Sequence, residues 1–239
     1  MATVNAGKYG IGLGGASGTF TTARTSNAQS VNNQSTSANV SSLRASRASG
    51  RSGSIYTMYR FFCAFDVSAY ASGYTITSLS LKFRTETVLP TIGFNGIVLE
   101  SSAQGNADTD LVVGDFYSSV DYTTAYSSSS AINTVAGNKD QSWTLNSTAI
   151  AAFSSSYVKL VIVQNANDYS NTAGTSDYTD SATFNFSAGS SGYVPYLEFT
   201  ATPTGWIDGD INGTTSPEEK LNGLAYTDIA FIDLIPFTP

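Results

Sequence analysis

Short apolar runs separated by polar, turn-forming stretches dominate the chain between Ile55 and Thr202. Leu79, Leu81 and Phe83 alternate with polar neighbours, which is the two-residue period of a strand with one buried face. Runs of this kind recur about eight times with no sustained helical period. The pattern predicts an all-β fold, a jelly-roll-like antiparallel β-sandwich, over residues 55–202.

Individual elements of this sandwich can be placed from the same pattern. Asn95-Gly96 is interpreted as a turn or a bulge. A short helix is predicted to start at a cap formed by Asn146 or Ser147 and to run through Phe153. Besides the alternating run at 79–83, the predicted strands are Ile55–Val67, Phe94–Glu100, Leu111–Tyr117, Gln141–Leu145, Tyr157–Gln164, Thr183–Ser187 and Tyr193–Thr200.

The flanking segments differ in composition from this body. Residues 1–54 are rich in Gly, Ser, Thr, Asn and Ala and poor in aromatic residues, so they are predicted to form a low-complexity basic arm held by other parts of an assembly. Residues 203–239 are predicted to form an anchoring tail. Its end is strongly apolar, and we expect these side chains to lie at an interface: Phe231, Ile232, Leu234, Ile235 and Phe237.

Charge is distributed unevenly along the 239 residues, whose net charge is -7. The stretch from Met1 to Phe65 carries six basic residues and no acidic one, and the remainder carries a net charge of -13. The basic stretch could therefore dock on an acidic partner or remain a solvated arm. Arg44, Arg47 and Arg51 are predicted to contact other subunits, and the negative body argues against nucleic acid as a partner.

Several functional classes are excluded or disfavoured by residue content. The sequence contains no histidine, so imidazole-based acid–base and triad chemistry is excluded. Its one cysteine, Cys63, lies in an apolar run and is predicted to be a buried, inert thiol. No apolar run is long enough to span a membrane, and the N-terminus lacks the apolar core of a signal peptide, so we expect either synthesis in a cytoplasm or a leader that has been removed, with no membrane as a partner.

Four segments resemble a family of β-sandwich modules, often labelled DNRLRE-like, found on cell-surface proteins and in phage structural proteins. The resembling segments are Tyr59–Asp66, Ile76–Leu81, Trp143–Asn146 and Val194–Phe199. The near repeat of Ile211-Asn-Gly213 and Leu221-Asn-Gly223 also resembles repeats at the ends of phage virion proteins. The resemblance implies an attachment or decoration module, sometimes one that binds carbohydrate, without a shared catalytic set.

One motif matches a calcium-binding loop. Asp208, Asp210, Asn212 and Glu219 follow the spacing of an EF-hand, in which oxygen ligands surround the cation. No helix is evident before Asp208, and the Asn-Gly repeat accounts for the same residues without a metal. A plain acidic turn is the favoured interpretation, and no cofactor is predicted.

Carboxylates and tyrosines in predicted loops are further candidate sites. A glycosidase would need two facing carboxylates, but loop aspartates are more typically turn formers, so no enzyme is predicted. Exposed tyrosines could bind sugar or form protein interfaces, and the interface is favoured. The residues concerned are Asp108, Asp110, Asp115, Asp168, Asp177 and Asp180, and Tyr117, Tyr122, Tyr126, Tyr169 and Tyr178.

These features lead to one functional prediction and one alternative. The chain is predicted to be a structural virion protein of a tailed bacteriophage: a capsid decoration, head-fibre or tail-associated protein. It would assemble in the host cytoplasm with capsid, fibre or tail subunits and with copies of itself, for example as a trimer. The alternative is a carbohydrate-binding module or adhesin on a cell surface, with a host glycan as its partner.

Overall fold

A computed structural model describes residues 1–14, 18–34, 39–51, 53–90, 95–131, 139–186 and 194–204. The chain divides into two compact units. The first comprises Met1–Ser72 and Ile76–Ala201, and the second comprises Gly73–Thr75 and Thr202–Pro239. In the second unit, the backbone N–H of Thr204 donates a hydrogen bond to the carbonyl of Gly73 at 2.8 Å.

Twelve strands and a few short helical turns form the described elements. The strands are β1 (Ala2–Gly14), β2 (Ala28–Gln34), β3 (Asn39–Gly50), β4 (Gly53–Asp66), β5 (Tyr74–Pro90), β6 (Asn95–Ser101), β7 (Val120–Ala125), β8 (Ser130–Ala131), β9 (Lys139–Thr144), β10 (Tyr157–Gln164), β11 (Tyr178–Phe186) and β12 (Tyr196–Pro203). The α-helices are α1 (Phe20–Thr25), α2 (Asp115–Ser118) and α3 (Ser147–Ala151). Short 3₁₀ turns cover Ser68–Tyr70 and Ala152–Ser154, and a π-helical turn covers Asn165–Tyr169.

The strands join in a single curled sheet with the order β2-β1-β12-β5-β11-β3-β4-β10-β6-β7, and β8 and β9 pair with β6 and β5. Strand β1 pairs with β12 through its first residues and with β4 through its later ones. The pairing path therefore returns on itself through β1, β12, β5, β11, β3 and β4. Every pairing whose register is described is antiparallel.

The all-β fold is confirmed. Single-sheet connectivity does not by itself establish two facing sheets, so the sandwich and jelly-roll arrangement stays a prediction. Strands β4 and β10 lie within a residue or two of their predicted bounds. The short helix also forms, and the side chain of its cap, Asn146, accepts a hydrogen bond from the backbone N–H of Ala149.

Two local predictions are wrong. Residues 111–117, predicted as a strand, form a turn that leads into α2, because the Asp115 carboxylate accepts a hydrogen bond from the backbone N–H of Val112 and closes the chain on itself. Asn95-Gly96 is not a turn but the start of β6. Glycine is needed there because a Cβ at position 96 would lie 2.5 Å from the Trp143 ring.

The core lies on both sides of β4, which is why its residues 60–65 form an unbroken buried run. Phe61, Cys63 and Phe65 belong to the larger apolar cluster. Phe62 belongs to a second cluster with residues of β6 and β10 such as Leu99 and Val161. A strand buried on both faces loses the alternation of a half-exposed strand, so residues 61–65 are all apolar.

Residues 1–54 contribute β1, β2, β3 and α1 to the first unit. Within this stretch Tyr9, Ile11 and Leu43 are buried. Small and hydroxyl-bearing residues can form strands when their neighbours supply the packing, so low aromatic content did not prevent ordering here. The described part of 1–54 is thus built into the same unit as most of 55–201.

Candidate functional site

A buried ion pair lies at the centre of a polar cluster in the interior of the first unit. Arg60, on β4, is fully buried. Its Nε donates to Asp168 Oδ2 at 2.7 Å, and its Nη2 donates to Asp168 Oδ1 at 2.8 Å. This two-point geometry matches the planar fork of a guanidinium to a carboxylate, the strongest arrangement available to such a pair.

Asp168 is held in place by the turn that follows β10. The side-chain Oε1 of Gln164 accepts hydrogen bonds from the backbone N–H groups of Asn167 and Asp168, at 2.6 and 3.4 Å. This cap stabilises the π-helical turn at 165–169 and directs the Asp168 side chain inward. The predicted long loop after Gln164 therefore begins with a defined turn.

Arg24 supplies a second cation from α1. Its Nε donates to the backbone carbonyl of Asp168 at 2.7 Å and lies 3.5 Å from Asp168 Oδ1. The Arg24 guanidinium lies 4.1 Å from the centre of the Tyr122 ring, within cation–π distance. The Tyr122 hydroxyl in turn donates to Asp168 Oδ1 at 2.8 Å.

Arg60 donates two further hydrogen bonds to backbone carbonyls. Its Nη1 donates to the carbonyl of Phe116 at 2.5 Å, and its Nη2 donates to the carbonyl of Arg24 at 2.8 Å. Burial lowers the pKa of the Arg60 guanidinium, but the charge of Asp168 and the polar neighbours outweigh it and the pKa is raised. The pKa of Tyr122 is raised by burial first and by Asp168 second.

The cluster joins α1, β4, α2, β7 and the π-helical turn through one set of buried polar contacts. The Asp168 carboxylate is almost fully buried and engaged by Arg60 and Tyr122, so it has no access to a substrate. Its chemistry is that of a structural anchor. In the sequence, Arg60 was visible as a lone cation inside an apolar strand, but nothing nearby identified Asp168 as its partner.

A second feature is an open polar groove of about 580 Å³ on the surface of β1, β12, β5 and β9. Antiparallel register places its side chains opposite one another in two strand pairs, β1 with β12 and β5 with β9. Between β1 and β12, Thr3 lies opposite Glu198 and Asn5 opposite Tyr196; between β5 and β9, Lys82 lies opposite Ser142 and Arg84 opposite Asp140. The lining residues are Thr3, Asn5, Lys82, Phe83, Arg84, Asp140, Gln141, Ser142, Tyr196 and Glu198.

Ion pairs fix the charged side chains of this groove. Lys82 Nζ lies 3.1 Å from Glu198 Oε1. Arg84 donates from Nε and Nη2 to the two carboxylate oxygens of Asp140, at 2.6 and 3.0 Å. The hydrogen bond from Arg84 lowers the pKa of Asp140, so this carboxylate stays ionised at neutral pH. These residues were missed because single strands show only alternation, while the groove depends on cross-strand register.

Most of the aspartates considered as catalytic carboxylates take part in ion pairs or hydrogen bonds with other residues. Asp110 pairs with Lys8 at 2.9 Å, and Asp115 accepts from the backbone of Val112. Asp177 accepts from the Ser49 hydroxyl at 2.8 Å and pairs with Arg47; its pKa is lowered chiefly by hydrogen bonds from Ser49 and further by the charge of Arg47. Asp108 is exposed beside the Asn106 turn. The side chain of Asp180 lies outside the described residues.

The tyrosines predicted to be exposed in loops are partly or fully buried. Tyr126 and Tyr178 are buried, and Tyr122 contacts Asp168. Tyr117 packs against Tyr122, with their ring centres 5.8 Å apart. Tyr169 packs against the second apolar cluster. A tyrosine has an apolar ring and a polar hydroxyl, so it can pack beneath a loop as well as lie on the surface. Its position in a predicted loop therefore did not predict its exposure.

The basic residues of 1–65 are used largely inside the chain. Lys8, Arg24, Arg47 and Arg60 pair with Asp110, Asp168 and Asp177 of the acidic remainder. Of the arginines predicted at an interface, Arg44 is half-buried beside the Tyr59 ring, Arg47 pairs with Asp177, and Arg51 is exposed. The charge asymmetry along the sequence is thus in large part neutralised within the fold.

The remaining predicted sites have mixed outcomes. Cys63 is buried as predicted, and burial raises the pKa of its thiol well above the ordinary value. The calcium candidates Asp208, Asp210, Asn212 and Glu219 lie outside the described residues, as do the apolar tail residues Phe231, Ile232, Leu234, Ile235 and Phe237. Within the described ranges, no group of three or more acidic or cysteine residues is placed to hold a metal ion.

None of the described helices has the length and apolar character needed to cross a membrane.

No protein-family model matches the chain, and no curated protein matches it either. The resemblance to DNRLRE-like modules therefore stays a prediction that is based on the four segments quoted above.

Proposed function

We propose that this chain is a structural virion protein of a tailed bacteriophage, acting as a capsid decoration, head-fibre or tail-associated protein. The observation that carries the proposal is the buried cluster of Arg24, Arg60 and Asp168, whose charges serve to hold the fold together. Arg24, Arg60 and Asp168 hold five segments of the first unit together and leave no reactive group exposed among them. A unit displayed on a particle needs such rigidity more than it needs a reaction centre.

The sequence composition supports the same proposal. Only 12% of residues are charged, so the surface relies on Ser, Thr and Asn, as is common in virion and other displayed β-proteins. The apolar end of the sequence, with Phe231, Ile232 and Phe237, would anchor the chain to capsid, fibre or tail subunits. Assembly would take place in the host cytoplasm. The chain would bind other virion subunits as a structural component and would not act as an enzyme.

Immunogold electron microscopy tests this proposal directly. Antibodies raised against the purified chain should label intact particles in lysates of cells that express its gene during phage growth. If the antibodies detect the chain only in the soluble fraction and the particles carry no gold label, the proposal is contradicted. Light scattering on the purified chain gives a second readout, since a homo-oligomer such as a trimer is expected and a stable monomer would weaken it.

A second candidate function is a carbohydrate-binding module or adhesin on a cell surface. The observation that favours it is the polar groove, because recognition of a hydroxyl-rich ligand needs fixed polar side chains beside an aromatic ring, and Tyr196 lines this groove together with two ion pairs. Surface labelling of intact cells, in place of particles, would favour this candidate over the virion protein.

A further inference from the structure

We propose that the polar groove across β1, β12, β5 and β9 is a binding site for a neutral oligosaccharide. The site is formed within the first unit and does not depend on the undescribed tail. It deepens the second candidate function and is equally compatible with a virion protein, because a displayed virion protein can also bind host glycans.

The groove is built from side chains whose positions are fixed before any ligand arrives. Arg84 and Lys82 keep only 25% and 23% of their side-chain surface exposed, and each is tied to a carboxylate on a neighbouring strand. A binding group that is already held in place loses little conformational entropy when a ligand binds. Ion pairs of this kind on adjacent strands therefore give the groove a set of preorganised polar side chains.

The exposures of the paired groups indicate the class of ligand. The Asp140 side chain is 74% exposed, against 25% for its partner Arg84. Glu198 is also more exposed than Lys82, at 30% against 23%. A ligand entering the groove thus meets carboxylate oxygens, which are hydrogen-bond acceptors, ahead of the cations. The hydroxyl groups of a sugar can donate to these oxygens.

Charge argues against anionic ligands in this groove. Both cations are already neutralised by a carboxylate, and the outermost group, Asp140, is negative. A uronate, a sialic acid or a phosphate would have to displace Asp140 or Glu198 and would be repelled by them. A neutral sugar avoids this repulsion and can use both the exposed carboxylate oxygens and the amide of Asn5, which lines the same groove.

Size and aromatic content fit the same ligand. A volume of about 580 Å³ is within the range of small-molecule sites and accommodates a few sugar units. The partly exposed ring of Tyr196 lies opposite Asn5 and offers an apolar surface for the C–H groups of a pyranose. The groove is open, so a longer chain could extend beyond it at either end.

Binding can be tested with defined probes and one matched pair of variants. The probes are labelled malto-, cello-, manno- and xylo-oligosaccharides as neutral ligands, with oligogalacturonate and sialyllactose as anionic ones. Asp140→Asn removes the outermost carboxylate of the groove. Asp177→Asn is its control, because Asp177 is also exposed and also paired with an arginine, Arg47, but does not line the groove.

We expect at least one neutral probe to bind, with affinity reduced about tenfold or more by Asp140→Asn, since hydrogen bonds to charged groups carry that much free energy. Asp177→Asn should leave the affinity within about twofold, as expected for surface changes away from a site. Tyr196→Ala is a second test and should also weaken binding, with retained near-ultraviolet circular dichroism as the check that it folds.

Three outcomes would overturn the inference: no neutral probe binds, only the anionic probes bind, or the neutral probe binds equally well to the wild type, Asp140→Asn and folded Tyr196→Ala. The proposal that the chain is a virion protein is tested separately, by labelling of the particles. Labelled particles without sugar binding would support the virion protein and refute the site, while sugar binding without labelled particles would do the reverse.

Discussion

Arg60 and Asp168, which are 108 residues apart in the sequence, form a two-point ion pair in the interior, with N–O distances of 2.7 and 2.8 Å. The pair fixes the turn after β10 against β4. The Tyr122 hydroxyl donates to the same carboxylate and the Arg24 guanidinium lies 3.5 Å from it, so loss of this carboxylate would remove a partner from each of these buried groups.

Asp168→Asn should destabilise the first unit strongly. An amide cannot balance the two buried guanidinium groups, and breaking a buried pair from one side typically costs about 3–5 kcal/mol. Urea unfolding gives the free energy. Asp177→Asn is the matched control: its side chain is 52% exposed, so the change should have a much smaller effect on stability. Equal stability of the two variants would show that the Arg60 pair is not a structural anchor.

Gly96→Ala should lower stability by about 1–3 kcal/mol, the usual effect of adding atoms to a filled interior. The new Cβ would lie 2.5 Å from the Trp143 ring, which must move. Gly114→Ala is the control, since nothing lies within 4 Å of its Cβ position and its φ is -68°. Tryptophan fluorescence and urea unfolding measure both effects. Wild-type behaviour of Gly96→Ala would mean that Trp143 does not pack as described.

Asn146→Ala should cost about 1–2 kcal/mol, in line with other lost helix caps. The Asn146 side chain accepts from the Ala149 N–H at 3.1 Å and donates to the Ala125 carbonyl at 2.7 Å, so both α3 and its contact with β7 are affected. Ser147→Ala, one residue later and exposed, should change the thermal midpoint little. A larger loss of stability in Ser147→Ala than in Asn146→Ala would contradict the assignment of Asn146 as the helix cap.

Stability should fall as the pH rises above about 9, where an unfolded thiol begins to ionise. Burial raises the pKa of Cys63, and burial is also the largest cause of the raised pKa values of Tyr9, Tyr122 and Tyr126. Above the unfolded pKa values the folded state holds more protons, so stability that is fully present below them is lost.

Urea unfolding at several pH values measures this loss. The variant Cys63→Ala removes one of the groups and should show a shallower decline between pH about 9 and 10 than the wild type. A flat profile in the wild type over this range would contradict the predicted linkage.

The strands could be predicted from the sequence where burial is regular. The uninterrupted run of β4 and the alternation in β5 follow directly from which faces are buried. The stretch at 111–117 could not be placed, because the hydrogen bond from the Val112 backbone to Asp115 overrides its apolar pattern. Local propensity does not report such side-chain closures.

The sites were harder to predict because they depend on pairing between distant residues. Asp168 resembles any loop aspartate until Arg60 is placed beside it. Lys82 and Arg84 show only that one face of β5 is polar, and the groove appears once β12 and β9 supply Glu198 and Asp140. Register between strands is set by the whole sheet, and a single sequence contains little information about it.

The double pairing of β1 determines when the first unit can be completed. Residues 2–5 pair with residues 196–199, so the start of β1 waits for the synthesis of about 190 further residues before its partner strand exists. At about 5–20 residues per second, that wait lasts on the order of 10–40 seconds. Sequence-distant pairings also slow folding after release. During synthesis the edge of β1 stays open to other strands, so its early residues are where a chaperone or a neighbouring nascent chain would first make contact.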